Sequence, residues 1–127
     1  MPAPSLSSVI LRVADIERAI AFWRDRVGLP VQAAGGPFAV LGAGPVALVL
    51  NRSDRAASDP PDGLLALTEV VLEVQDVRAA HAEMSARGVP FRTAPRAVTR
   101  QGDRELWACD FRDPDGHLAS ITGWVKP

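Results

Sequence analysis

The stretch Ser8-Val-Ile-Leu-Arg-Val-Ala-Asp15 decides the fold, because the chain repeats it as Glu69-Val-Val-Leu-Glu-Val-Gln-Asp76. The second copy begins 61 positions after the first (8 to 69). Each copy alternates with the two-residue period of a β-strand and ends in an aspartate that suits the N-cap of a helix. A repeat of this length indicates one supersecondary unit used twice.

A helix is predicted after each aspartate. Apolar residues recur there at helical spacing, at Ile16, Ile20, Trp23 and Val27 and again at Val77, Ala80 and Met84. Gly28 and Gly88 end the two patterns, as glycine commonly does just after a helix. The apolar stripe predicts that Trp23 packs in the core.

Three short strands are predicted to follow each helix, separated by glycine- and proline-rich turns. They are expected near Val31–Ala34, Phe38–Leu41 and Val46–Asn51, and near Phe91–Thr93, Leu106–Phe111 and His117–Trp124. The prediction is an α+β fold of two βαβββ modules that form a curved mixed sheet with helices on its convex side. A single domain spans residues 1–127, with modules at about 6–51 and 66–125 and a polar linker at 52–63.

Composition excludes several classes of partner. The chain has 127 residues and a formal net charge of −1, so no overall field favours nucleic acid or an anionic membrane. No apolar run approaches the roughly 18 to 20 residues that cross a bilayer, and no signal peptide is recognisable at the N-terminus. The one cysteine, Cys109, cannot form an internal disulfide and fits a cytoplasmic protein.

The strand face opposite the helices is predicted to line a pocket. Charged residues occur on this face, and a charged face beside apolar residues favours a polar-lined concavity over plain surface. Its members are Ser8, Ile10, Arg12, Glu69, Val71, Glu73, Ser120, Thr122 and Trp124. Arg12 and Glu73 occupy equivalent positions of the repeat, so they either form an ordinary ion pair or act together in the pocket.

The sequence resembles the glyoxalase/bleomycin-resistance/extradiol-dioxygenase superfamily, also called the vicinal oxygen chelate fold. The matching pieces cover both halves: Leu11-Arg-Val-Ala-Asp15 with Ala19-Ile-Ala-Phe-Trp23 and Gly28-Leu, Val74-Gln-Asp76 through Ala86-Arg-Gly88, and Phe111-Arg-Asp-Pro-Asp-Gly116-His. The resemblance implies paired βαβββ modules. It also implies a homodimer with ligand cavities at or near the interface.

The metal enzymes of that family carry ligands at positions that correspond here to Ser8, Ala47, Glu69 and Ser120. Of these, only Glu69 is a good ligand, whereas a divalent site needs three or four histidine, cysteine or carboxylate groups. His81 and His117 are expected to have structural roles. No metal and no other cofactor are therefore predicted, and a metal-dependent glyoxalase or dioxygenase is the less favoured interpretation.

Two functions remain open. The favoured one is a binding protein that sequesters a planar or aromatic antibiotic or natural product, resembling the bleomycin-resistance type. Its flat apolar side chains would be Phe38, Trp107, Phe111 and Trp124. The alternative is a metal-independent isomerase, cyclase or dehydratase in which desolvation raises the pKa of Glu69 so that it acts as a base and Arg12 stabilises an enolate.

Overall fold

A computed structural model describes residues 6, 8–53 and 69–126. The chain divides into two compact units, Met1–Ser58 and Asp59–Pro127, which correspond to the two repeats. Each unit has its own four-stranded mixed sheet and its own helix, so the α+β assignment and the βαβββ order are confirmed. Apart from Arg52 and Ser53, the predicted linker lies outside the described residues. None of the described helices is long and apolar enough to cross a membrane.

Module one is a sheet of strand order β1-β4-β3-β2 with one helical segment. β1 is parallel to β4, and the other pairs are antiparallel. The elements are β1 (Ser8–Val13), α1 (Ile16–Ile20) continued by a π-helix (Ala21–Val27), β2 (Val31–Gly35), β3 (Phe38–Leu41) and β4 (Ala47–Arg52).

Module two repeats this plan with strand order β5-β8-β7-β6, in which β5 and β8 are the parallel pair. The remaining pairs are antiparallel. The elements are β5 (Glu69–Glu73), α2 (Val77–Ala86), β6 (Arg96–Gln101), β7 (Arg104–Arg112) and β8 (Leu118–Val125).

The helix caps follow the prediction. The side chain of Asp15 accepts a hydrogen bond from the backbone N–H of Arg18, and Asp76 does the same for Ala79. Each aspartate thereby satisfies one of the N–H groups that the first turn of a helix leaves unpaired. Gly28 ends the first helical segment at φ 101°, a left-handed conformation that favours glycine.

The first helix differs from the predicted regular α-helix, because residues Ala21–Val27 are wound as a π-helix. Its wider turn lets the sequence neighbours Phe22 and Trp23 both enter the core. Their rings pack in a T-shaped arrangement at a centroid distance of 5.5 Å. Trp23 is fully buried, which confirms its predicted core position. The helical spacing of the apolar residues did not predict that Phe22 is buried as well.

The strand predicted at Phe91–Thr93 is wrong. Phe91 makes only an isolated bridge to Phe111, and the strand that pairs with β7 is Arg96–Gln101. All six residues of β6 are exposed at the edge of the sheet, so the segment carries no alternation of buried and exposed positions. Without that alternation the sequence gives no strand signal.

Cys109 lies in the core of module two and is buried. Burial, with a smaller contribution from Asp110, raises the pKa of its thiol to about 11. Since only the thiolate is nucleophilic, we expect the native protein to react with a disulfide reagent at pH 8 at least about 100-fold more slowly than the urea-unfolded chain. Stopped-flow absorbance with Ellman's reagent measures both rates. Equal rates would contradict the buried position.

Candidate functional site

The open face of the first sheet, which is the face opposite α1, carries a row of three different chemical groups. Arg12 on β1 is in register with Asn51 on β4, and Asn51 is in register with Phe38 on β3. Side chains in register point to the same face of a sheet. A cation, an amide and an aromatic ring therefore stand side by side on three neighbouring strands.

Apolar side chains continue this open face beside the row. Ile10 is 49% exposed and Phe38 is 41% exposed, although both are large apolar residues. Ile10 is in register with Val49, which is in register with Val40. Exposed apolar side chains next to a few polar groups are typical of a small-molecule site.

The position of the Phe38 ring depends on Gly35 of the edge strand β2. These two residues are paired across the strands, and a Cβ atom built on Gly35 would lie 3.5 Å from a carbon of the Phe38 ring. The ring thus packs over the bare backbone of the glycine, an arrangement that supports an edge strand. A larger side chain at position 35 would displace the ring.

A cavity of about 340 Å³ lies at the end of this row. It lies where β1 and β4 end, beside the turn that precedes β3. The backbone N–H of Arg52 donates a hydrogen bond to the carbonyl oxygen of Pro37 at 2.8 Å and so joins this turn to the end of β4. None of the described residues that line it is acidic. They are Arg12, Pro37, Asn51, Arg52 and Ser53.

The open face of the second sheet carries the predicted residues of that module. Ser120 and Thr122 of β8 are in register with Val71 and Glu73 of β5. Val71 is 57% exposed, whereas Ser120 is buried. Thr122 donates a hydrogen bond from Oγ1 to the carbonyl oxygen of Leu72 at 3.5 Å. Ser120 is therefore not accessible to a ligand in this conformation.

Glu69 lies at the start of β5 on the same open face, and its side chain is exposed, as is that of Glu73. The enzyme hypothesis needs Glu69 to be desolvated, and module two does not supply that burial. The expected pairing of Arg12 with Glu73 joins different modules and stays a prediction.

The two tryptophans of module two lie on opposite faces of the sheet. Trp107 is in register with Gly123, whereas Trp124 is in register with Leu106. Arg78 of α2 lies over the Trp107 ring at 4.4 Å, which places this ring on the helix side. Trp124 on the open face has Arg104 over its ring at 4.7 Å. Trp107 and Trp124 therefore cannot form two walls of one open-face pocket.

Both tryptophans nevertheless contribute to a second cavity, of about 410 Å³, at the end of module two. This cavity lies where β8 ends and α2 begins, so residues from both faces of the sheet reach it. Its lining mixes apolar and charged groups, namely Gln75, Asp76, Val77, Arg78, Trp107, Trp124, Val125 and Lys126.

Phe111 was expected to contact a ligand, but its side chain is fully buried. Its ring meets that of Phe91 at 5.3 Å in an edge-on arrangement. Because Phe111 is in register with Ala119, it lies on the helix side of the sheet, like Cys109 two residues earlier. We assign Phe111 to the core and not to the binding site.

The residues at the positions that the resemblance implies for metal ligands lie on neighbouring strands within each module. Ser8 is in register with Ala47, and Glu69 and Ser120 share the open face of module two. Within residues 6, 8–53 and 69–126, no three histidine, cysteine, aspartate or glutamate side chains are close enough together to hold a metal ion. One carboxylate with hydroxyl neighbours does not fit a divalent metal.

The histidines have local partners. His81 on α2 packs its ring against Phe91 at 4.5 Å. His117 places Nδ1 2.9 Å from Oδ2 of Asp113, whose side chain is buried. Both contacts are structural, in agreement with the roles expected from the sequence.

Sequence reasoning missed Asn51, Arg52 and Ser53. The signal that would have found Asn51 is the parallel register of β1 and β4, which pairs it with Arg12. Register between strands 39 residues apart (12 to 51) depends on tertiary packing, and no local pattern encodes it.

The comparisons with known proteins agree with this fold. The sequence profile of the Glyoxalase/Bleomycin resistance protein/Dioxygenase superfamily matches residues 5–121. The chain belongs to this superfamily. No curated protein matches the chain.

Solved structures of the same fold include three that illustrate the range of relatives. A glyoxalase/bleomycin resistance protein/dioxygenase from Nocardioides is 20% identical, with a TM-score of 0.73 over 100% of this chain and 89% of that one. A virulence protein from Salmonella typhimurium is 22% identical, with a TM-score of 0.73 over 98% and 100% of the two chains. A lactoylglutathione lyase from Agrobacterium tumefaciens is 17% identical, with a TM-score of 0.69 over 97% and 96%. At these identities the likeness establishes the fold alone.

Proposed function

We propose that this protein binds a planar or aromatic small molecule, an antibiotic or other natural product, without the help of a metal ion. The observation that carries the proposal is the exposed apolar surface of module one, where Ile10 and Phe38 stand beside Arg12 and Asn51. Aromatic and aliphatic side chains supply contact area, and a few polar groups set the orientation of a ligand.

The residues at the positions where metal enzymes of the family carry ligands support binding without a metal. Superfamily members that use a metal need several ligands on the open strand face, and Ser8, Ala47 and Ser120 are poor ligands at those positions. The exposed side chain of Glu69 also argues against the alternative function, a metal-independent isomerase, cyclase or dehydratase that uses this carboxylate as a base. Full turnover of a substrate by Glu69→Gln would remove that role for Glu69.

The proposal includes a homodimer in the cytoplasm. A second copy would cover apolar side chains that a single chain leaves in water, such as Val71, which is 57% exposed. The buried, reduced Cys109 suits a reducing compartment. Light scattering coupled to size exclusion measures the molar mass, and a monomer at micromolar concentration would contradict the dimer.

The proposed site is tested with a neutral planar probe, 2-naphthamide, by isothermal titration in buffer with a metal chelator. Phe38→Ala and Ile10→Ala are each expected to weaken binding about fivefold or more, because each removes contact area on the open face. Val98→Ala on β6 is the matched control, since Val98 is a similarly exposed strand residue of the other module. Trp107→Phe is expected to leave binding unchanged, because Trp107 lies on the helix side.

Two results would contradict the proposal. One is binding that disappears with the chelator and returns with a divalent metal. The other is affinity that is the same in Phe38→Ala, Ile10→Ala and the wild type.

A further inference from the structure

The cavity of about 340 Å³ in module one has the composition of an anion site. Arg12 contributes a guanidinium to its lining, and Asn51 beside it adds an amide that can donate hydrogen bonds. None of the described lining residues is acidic, so within this part of the chain the guanidinium of Arg12 has no carboxylate beside it in the cavity. An anionic group is the complement of such a lining.

Arg12 has no carboxylate partner among the described residues of its module, unlike two other arginines of the chain. Arg24 is held by Asp25 at 2.7 Å, and Arg92 lies 3.9 Å from Asp110. Among the described residues of module one, no aspartate or glutamate forms such a contact with Arg12. Arg12 is exposed, and its backbone is held by pairing with Asn51 near the end of the β1–β4 ladder. The group is therefore positioned by the sheet and open to a ligand.

The row of Arg12, Asn51 and Phe38 across the sheet also favours a ligand of a particular shape. Neighbouring strands are about 4.8 Å apart, so the Arg12 and Phe38 positions are separated by roughly 10 Å, with Asn51 between them. A flat ligand that lies along this row contacts the Phe38 ring with its apolar part and reaches the arginine with its polar end. The planar fork of a guanidinium matches the two oxygens of a carboxylate.

We propose that the ligand of this protein is a planar aromatic carboxylate whose carboxylate is bound by Arg12 in this cavity. This inference rests on the proposed binding function and specifies its ligand class. Asn51 then donates its side-chain N–H to the same carboxylate or to the ring substituent beside it. The apolar part of the ligand lies on Phe38 and Ile10.

The test compares 2-naphthoate with the neutral 2-naphthamide by isothermal titration. The wild-type protein is expected to bind 2-naphthoate about tenfold more tightly, and this preference should decline as NaCl rises from 20 to 500 mM. Arg12→Gln is expected to abolish the preference, so that the variant binds the two probes with similar affinity. Arg100→Gln is the matched control, because Arg100 is an exposed strand arginine of the other module and its loss changes the net charge equally.

The outcomes separate this inference from the proposed function. Equal binding of the two naphthyl probes would overturn the carboxylate assignment and leave the planar-ligand function standing. A preference that survives Arg12→Gln, or that Arg100→Gln removes as well, would place the anion elsewhere and overturn the assignment to this cavity. Tighter binding of inorganic phosphate than of 2-naphthoate would also overturn it. If neither naphthyl probe binds at millimolar concentration, both proposals are wrong.

Discussion

Gly123→Ala is expected to lower the free energy of unfolding by roughly 3 kcal/mol, the upper end of what overpacking a core normally costs. Gly123 lies on β8, and a Cβ atom there would be 2.8 Å from the carbonyl oxygen of Val74 and 3.0 Å from Cγ2 of Val77. The first contact is with backbone, which cannot rotate away. Val77 is itself buried at the start of α2. Relief therefore requires the helix or the strand to move.

Gly44→Ala is the matched control. A Cβ atom on Gly44 would meet nothing within 4 Å, and its backbone conformation does not require glycine. This substitution is expected to change the free energy of unfolding by no more than about 0.5 kcal/mol. Urea unfolding followed by tryptophan fluorescence measures both variants. Equal stability of the two variants would contradict the short distance between Gly123 and the start of α2.

The parts of the fold that the sequence predicted are those with a local signal. β1 has the predicted limits because buried Leu11 and Val13 alternate with exposed residues. The two helices begin at the predicted aspartates because a side-chain cap is a contact between residues three apart. Such features are encoded within a few residues, and their repetition in the second module reinforced the prediction.

The parts that the sequence did not predict depend on non-local packing. In β7 the run Leu106-Trp107-Ala108-Cys109 is apolar without alternation, so the sequence does not show which face Trp107 occupies. The structure decides this through the pairing of Trp107 with Gly123, whose missing side chain leaves room on the helix side. The row of Arg12, Asn51 and Phe38 was hidden for a related reason, because it forms only when three strands pair in one register.

Asp113→Ala is expected to destabilise the protein by about 3–5 kcal/mol, because it removes one partner of a buried, hydrogen-bonded pair. Oδ1 of Asp113 accepts hydrogen bonds from the backbone N–H of Asp115 at 3.0 Å and of His117 at 2.7 Å. Oδ2 lies 2.9 Å from Nδ1 of His117. The carboxylate thus organises the turn between β7 and β8. Urea unfolding at pH 6 measures the loss.

Asp113→Asn separates the two contributions of this side chain. The amide oxygen can still accept from both backbone N–H groups, but an amide has no charge to stabilise the imidazolium of His117. We therefore expect Asp113→Asn to recover roughly half of the stability that Asp113→Ala loses. If the asparagine and alanine variants were equally unstable, the backbone hydrogen bonds would contribute little and the ion pair would account for the effect.

The pH dependence of stability tests the ion pair itself. The hydrogen bond that the imidazolium of His117 donates to Asp113 raises the pKa of His117 above its usual 6.5, while burial opposes this rise only in part. A raised pKa means that the folded state favours the imidazolium, so this stabilisation is complete below pH 6.5 and is lost as the pH rises through the folded-state pKa. The destabilisation by His117→Gln should accordingly be greatest near pH 5.5 and decline toward pH 9. A difference that grows with pH would mean that His117 is held as the neutral imidazole, and that Asp113 stabilises the turn through its backbone contacts alone.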